Sequence, residues 1–196
     1  MYSRINKGEP MSPGQFLDKV DKHWTLFLDR DGVLNRRIVD DYVRVWEDWE
    51  WLPGVLPAIA SLSSVFGRMV VVTNQRGIAL GYYSEQALMG IHQKMKAEVR
   101  AAGGRIDAVF HCPHDRDSGC SCRKPQPGML LNAAASDSAI DLQRAIMVGD
   151  SISDMQAAEA VRMPAIFIGS VRPRLPNNVL TALPDLPTVA RLFEKQ

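Results

Sequence analysis

The chain's 196 residues are 46% apolar, enough to close one sizeable core, and 23 Lys and Arg against 22 Asp and Glu leave a formal charge of +1. That balance excludes the one-signed field of a nucleic-acid or anionic-lipid binder, so a small molecule is the expected partner, with the chain a monomer or weak dimer. The segment Met1 to Asp21 lacks the apolar run of a signal peptide, and no stretch approaches the ~18 apolar residues of a membrane span, so a soluble cytoplasmic protein is expected.

Residues 1–22 are polar, carry Gly8, Pro10, Pro13 and Gly14, and read as an irregular arm with one short helical turn near Phe16 to Val20. From residue 23 to 196 one domain is expected. Thr25 to Leu28 reads as a strand, Val55 to Phe66 as a helix and Met69 to Thr73 as a second strand. Ser84 suits a helix N-cap, and Leu88, Ile91, Met95 and Val99 recur at helical spacing until Gly103 and Gly104 break the pattern. Ile106 to Phe110 reads as a strand and Met129 to Ser136 as a helix; Ala145 to Val148 and Ala165 to Ile168 are strands around a helix from Asp154 to Val161. The Pro-rich tail reads as an edge strand, Val179 to Leu183, and a closing helix, Thr188 to Glu194. Strands alternating with helices predict an α/β, doubly wound parallel sheet of Rossmann-like form.

The first strand runs into Asp29-Arg30-Asp31-Gly32, which puts two carboxylates at the carboxyl end of a buried strand, where open α/β sheets bind ligands. Alternate residues of extended chain face one way, so both can enter one crevice, one as nucleophile and the other as proton donor. Attack on a phosphate ester also needs a cation to neutralise its charge, and hard, oxygen-ligated Mg2+ suits that task. Taken alone, an Asp-x-Asp tripeptide is better explained by a turn. The second strand, however, ends in Thr73-Asn74-Gln75, Lys124 follows the third, and the fourth ends in Gly149-Asp150 with Asp154 beyond, one carboxylate to ligate the ion and another to brace the site.

In that order these residues resemble the four motifs of the haloacid dehalogenase superfamily of phosphatases. The resemblance implies that Asp29 forms an aspartyl-phosphate, that Asp31 protonates the leaving alcohol and then activates water, and that Thr73 and Lys124 hold the phosphoryl oxygens. It further implies that Asp150 binds Mg2+ together with Asp29 and the Asp31 carbonyl, with Asp154 in support.

All three cysteines fall in Cys112-Pro113-His114 and Cys120-Ser121-Cys122, a Cys3His set with the short spacings of a closed tetrahedral zinc site. Four protein ligands leave no position for water, so the zinc is expected to be structural, stiffening the loop that delivers Arg123 and Lys124. With Cys122-Arg123-Lys124-Pro125, Pro127-Gly128-Met129 and Val72-Thr73-Asn74-Gln75-Arg76-Gly77, the chain resembles the branch of the superfamily that contains heptose bisphosphate phosphatases and histidinol-phosphate phosphatase domains. The heptose enzymes fit better, with a small phosphorylated sugar as substrate, and that resemblance places Asn74, Gln75 and Arg123 against the sugar or its second phosphate.

About forty residues separate Asp31 from Thr73 and about fifty separate Thr73 from Lys124, which leaves no room for a separate cap domain. Loops must then supply specificity, among them Arg36 to Trp51 with Tyr42, Trp46, Trp49 and Trp51, whose rings can wall the pocket or simply pack. The rival readings are a histidinol-phosphate phosphatase and, from another class, a non-catalytic zinc-stabilised binding module.

Overall fold

The fold was read from a computed structural model that describes residues 17–170 and 175–194; residues 1–16, which hold most of the expected arm, lie outside the described residues. Six strands form one parallel sheet: β1 (Thr25–Leu28), β2 (Arg68–Asn74), β3 (Ala108–Cys112), β4 (Ala145–Gly149), β5 (Ala165–Ile168) and β6 (Val179–Leu183), in the order β3-β2-β1-β4-β5-β6. Between them run α1 (Val55–Val65), α2 (Glu85–Ala101), α3 (Gly128–Ser136) and α4 (Ile152–Ala160), and α5 (Leu186–Phe193) closes the chain's described part.

The strands are short continuous apolar runs because both faces of the sheet are covered. Leu26, Leu28, Met69, Val71, Ile146 and Val148 point to one side, where they meet Ile59 and Leu62 of α1, Met95 and Val99 of α2, and Val189 and Phe193 of α5. Phe27, Val70, Val72, Met147 and Phe167 point to the other, against Met129 and Ala133 of α3 and Met155 and Ala158 of α4. Among the described residues no helix is long and apolar enough to cross a membrane.

The helix starts are written locally. Ser84 Oγ accepts from Ala87 N–H at 3.1 Å, Asp185 accepts from Thr188 N–H at 2.8 Å, and Ser151 and Asp154 make a reciprocal capping box at the start of α4. The expected starts of α4 and α5, at Asp154 and Thr188, lie two residues inside the observed ones, since each named residue is a partner in the cap and not the first of the helix. β3 likewise begins two residues after the expected Ile106, because Val70 pairs with Ala108 and Ile106 is buried in the loop before it.

Strand order puts β1 and β4 side by side at the centre, with the chain winding outward in opposite directions from them. The crevice at their carboxyl ends is the switch point where such sheets bind ligands. Leu28 pairs with both Val71 and Val148, so the residues after β1, within β2 and after β4 emerge together.

Candidate active site

Asp29 directly follows β1, its N–H donating to Val148 O at 2.9 Å, and the residue is 5% exposed. Oδ1 accepts from the Arg30 N–H and from Lys124 Nζ, both at 2.8 Å. Lys124 is no solvated surface lysine: it is 5% exposed, its ammonium also donates to Val72 O at 2.8 Å, and it stands 2.6 Å from Asp154 Oδ1 as an ion pair without hydrogen-bond alignment. Burial alone would push that ammonium down, but Asp154 and Asp29 outweigh it and raise its pKa, so the lysine is charged.

Asp31 faces the same cavity, braced differently. Arg30 Nη2 and Asn35 Nδ2 donate to its Oδ1 at 2.9 Å, and Gln75 Nε2 donates to its Oδ2 at 3.1 Å. Burial pulls the Asp31 pKa up, but Arg30, Asn35 and Gln75 reverse this and hold it below the ordinary carboxylate value. Behind Asp31, Arg30 is itself 1% exposed, bonded to His92 Nε2 at 3.2 Å and lying over the Trp49 ring.

The turn between the two aspartates and α4 needs two glycines. Gly32 has φ of 95°, and a Cβ there would stand 2.0 Å from Asp150 Oδ2; a Cβ on Gly149 would stand 2.4 Å from the Asp154 Cβ. Lacking side chains, Gly32 lets the loop after β1 close on Asp150, and Gly149 lets Asp154 pack back against the end of β4. Oxygens of Asp29, Asp150 and Asp154 consequently lie within 4.8 Å of one another. Burial pushes Asp29 up to about 7, with Lys124 opposing and the neighbouring Asp154, Asp150 and Asp31 adding; burial likewise lifts Asp150 to about 6. Carboxyls held up in this way favour a cation beside them, so the donor set, all hard oxygen, fits Mg2+.

A cavity of about 470 Å3 opens over these groups, lined by Asp29, Asp31, Thr73, Asn74, Arg123, Lys124 and Asp154 from the expected set. Asn74 clamps the lysine's backbone, Nδ2 donating to Lys124 O and Oδ1 accepting from Lys124 N–H, each at 3.1 Å. Two expected residues lie outside the lining. Gln75 is 1% exposed, with its amide spent on Asp31, on Thr73 Oγ1 at 2.8 Å and on the Tyr83 hydroxyl, which donates to it at 2.6 Å. Its geometry is that of a residue that positions Asp31 and Thr73. Asp150 sits behind Arg37, whose Nη2 donates to Asp150 Oδ1 at 2.7 Å.

Sequence reasoning missed Arg37, Arg76 and Arg116, which add three guanidiniums to Arg123 around the cavity, and Tyr82 on its wall. The signal available was the Arg36-Arg37 pair shortly after the Asp-x-Asp motif. Residues 36–50 form an excursion whose base is closed by Arg36 N–H to Glu50 O at 2.8 Å and Leu52 N–H to Leu34 O at 3.1 Å. Of its rings, Tyr42 lines the cavity, whereas Trp46, Trp49 and Trp51 pack on one another and on the core beneath.

Cys112, at the end of β3, meets the other three members of the second cluster. Its Sγ lies 3.6 Å from Cys120 Sγ, 3.0 Å from Cys122 Sγ and 3.5 Å from His114 Nδ1, and His114 Nδ1 is 3.2 Å from Cys122 Sγ. A tetrahedron with metal–sulfur bonds of ~2.3 Å has edges of roughly 3.7 Å, so one ion can bridge all four atoms after a small expansion. Burial pushes the Cys112 thiol up to about 12; burial also acts on Cys120, but hydrogen bonds from Ser118, the Arg123 N–H and the two other thiols bring it down to about 6. Cys122 directly precedes Arg123 and Lys124, and Arg76 ties the strand-end loop after β2 to the cluster's loop through Asp115 at 2.5 Å.

A parallel sheet whose switch point carries an Asp-x-Asp pair, a buried lysine and further aspartates defines a phosphatase of the haloacid dehalogenase type. Residues 121–173 match the HAD-hydrolase-like family. D-glycero-alpha-D-manno-heptose-1,7-bisphosphate 7-phosphatase of Mycobacterium tuberculosis is 41% identical over 155 residues, covering 79% of this chain and 82% of the relative. The D-glycero-beta-D-manno-heptose-1,7-bisphosphate 7-phosphatase of Pseudomonas putida is 43% identical over 143 residues, 73% of this chain and 81% of the relative. The crystal structure of D,D-heptose 1,7-bisphosphate phosphatase from B. bronchiseptica, complexed with magnesium and phosphate, superposes with a TM-score of 0.78 at 38% identity, covering 86% of this chain and 96% of that one. The chain belongs to the heptose-1,7-bisphosphate 7-phosphatase family of that superfamily.

Proposed function

We propose that this chain is a cytoplasmic magnesium-dependent phosphatase that removes the C7 phosphate of D-glycero-D-manno-heptose 1,7-bisphosphate, with residues 23–196 acting as one catalytic unit and 1–22 as an arm. The observation that carries it is the buried Lys124 ammonium 2.8 Å from Asp29, beneath a cavity ringed by Arg37, Arg76, Arg116 and Arg123. A surplus of guanidiniums around one nucleophile suits a substrate with two phosphates.

Asp29 attacks phosphorus in line; its new O–P bond forms as the bond to the C7 oxygen breaks, and Asp31 supplies the proton that oxygen needs. Water then attacks the aspartyl-phosphate, Asp31 takes its proton, and the Asp29 carboxylate leaves with inorganic phosphate as the second product. Asp31 rests ionised, which is its form for the second half; the charge of an incoming phosphate raises its proton affinity for the first. Thr73 and Lys124 hold the phosphoryl oxygens, while Asn74 and Arg123 face the remainder of the substrate. Asp29, the Asp31 carbonyl and Asp150 would hold Mg2+, which neutralises phosphoryl charge, and Asp154 steadies Lys124 and the loop after β4. Cys112, His114, Cys120 and Cys122 would hold a structural Zn2+ that stiffens the loop delivering Arg123 and Lys124.

The test is phosphate release from the two heptose 1,7-bisphosphate anomers and from histidinol phosphate, each with Mg2+ and with EDTA. The expected result is Mg2+-dependent release from a heptose substrate, reduced by a factor on the order of 10^4 or more in Asp29→Asn with an unchanged circular dichroism spectrum. Preference for histidinol phosphate would replace the substrate, and undiminished turnover in Asp29→Asn would remove the nucleophile. The relatives include both alpha and beta enzymes, so both anomers belong in the assay.

A further inference from the structure

The Arg37 guanidinium stands where a cation would be expected. Its Nη2 alone donates to Asp31 O at 3.2 Å and to Asp150 Oδ1 at 2.7 Å, and it lies 4.0 Å from Asp29 Oδ2. Those three oxygens belong to the three residues assigned to Mg2+, and they come from loops after two different strands. A divalent ion held by the same oxygens at ~2.1 Å cannot share that position with a guanidinium nitrogen, on grounds of both size and charge.

The aim of Arg37 is built into the excursion that carries it. Arg36 pairs outward with Glu50 at 2.9 Å, both side chains more than 60% exposed, and the main-chain bond from Arg36 N–H to Glu50 O fixes the strand-like base. The next residue along an extended chain points the opposite way, so Arg37 is directed inward. Its side chain is 49% exposed against 16% for Asp150, and Arg37 lines the cavity while Asp150 does not. A half-exposed cation thus covers a more buried anion.

The geometry points to Arg37 as a built-in cation that holds the magnesium position closed in the metal-free enzyme and gives way when the ion binds. The inference rests on the magnesium reading proposed above. Its physical purpose is to keep Asp29, Asp31 and Asp150 from repelling one another before the ion arrives; the cost is weaker apparent metal affinity, because each binding event must break the Arg37 contacts.

The experiment is calorimetric titration of chelator-stripped protein with Mg2+ and with Mn2+, comparing wild type, Arg37→Ala, Arg37→Gln and Arg36→Ala, alongside the Tm of each with and without the ion. Arg37→Ala and Arg37→Gln should bind both ions about three- to tenfold more tightly than wild type, the range of one half-exposed charge pair. They should also melt lower than wild type when stripped and gain more in Tm on saturation. Arg36→Ala, on the outward face, should bind as wild type does. Unchanged or weaker binding in both Arg37 variants overturns the inference and leaves the proposed phosphatase intact, as does equal tightening in Arg36→Ala, which would mark a general charge effect. Absence of any ion binding by wild type would overturn both readings.

Discussion

Asp29 and Asp150 hold their protons more tightly than free carboxyls do, the first up to about 7 and the second to about 6, and burial is the leading cause of both. A metal held there as proposed must displace those protons. Its affinity should therefore rise with pH through about 6 to 7, by up to about tenfold per unit for each proton displaced, and level off above. Titration with Mg2+ across roughly pH 5 to 8 checks this; a flat profile would contradict it. The same sign governs stability in stripped protein. Groups with raised folded pKa values stabilise below the unfolded value of 3.8 and lose that contribution as pH climbs toward 7, a loss that bound metal should cancel. At this scale residue types were legible, since Asp29, Asp31, Thr73, Lys124 and Asp150 come in order at or beyond the carboxyl ends of successive strands. What each side chain touches was not: Gln75 braces Asp31 and Thr73, and Arg37 covers Asp150, because both depend on neighbours distant in sequence.

Among the elements, the loop from Cys112 to Lys124 has the most to lose. Beyond Cys112, the last residue of β3, it has no strand or helix, and it is held by the cysteine and histidine cluster, by Arg76 on Asp115, by Asn74 on the Lys124 backbone, and by main-chain bonds from Ala79 N–H to Pro113 O and from Gly128 N–H to Ser121 O. For Cys120→Ser we expect loss of zinc by elemental analysis and destabilisation of about 3 kcal/mol, seen as a Tm lower by ~10 °C. Unchanged zinc content would rule out the proposed ligand set. Turnover should fall with it, as Lys124 loses its fixed approach to Asp29. Element types were readable because caps and periodicity are local: Ser84 starts α2 as its spacing from the apolar stripe requires. Element ends were less so, because β3 begins where β2 can pair with it and the apolar run around Ile106 carries no record of that register.

Across the whole molecule, β1 and β4 are sealed by helices on both sides, so the platform under the site and the hydrophobic core are one structure. Leu62 of α1 is fully buried in the core cluster that also holds Leu28 and Val148, so it shares that platform without being a residue of the site. Leu62→Ala should destabilise by about 2–5 kcal/mol, read as a lower urea midpoint with unchanged slope. A loss below ~1 kcal/mol would mean that the core around α1 repacks freely.

The amino-acid sequence by itself determined the alternation of strands and helices, the two-faced burial, the motif residues and the cysteine and histidine set, because each is expressed in spacings of a few residues. Only the tertiary structure decided that β4 lies beside β1, that Lys124 reaches Asp29 across 95 positions and Arg37 reaches Asp150 across 113, and that Tyr42 faces the cavity while three tryptophans turn to the core. Such contacts form through sheet register and loop closure, which depend on how the whole chain buries its apolar surface and leave no periodic trace along it.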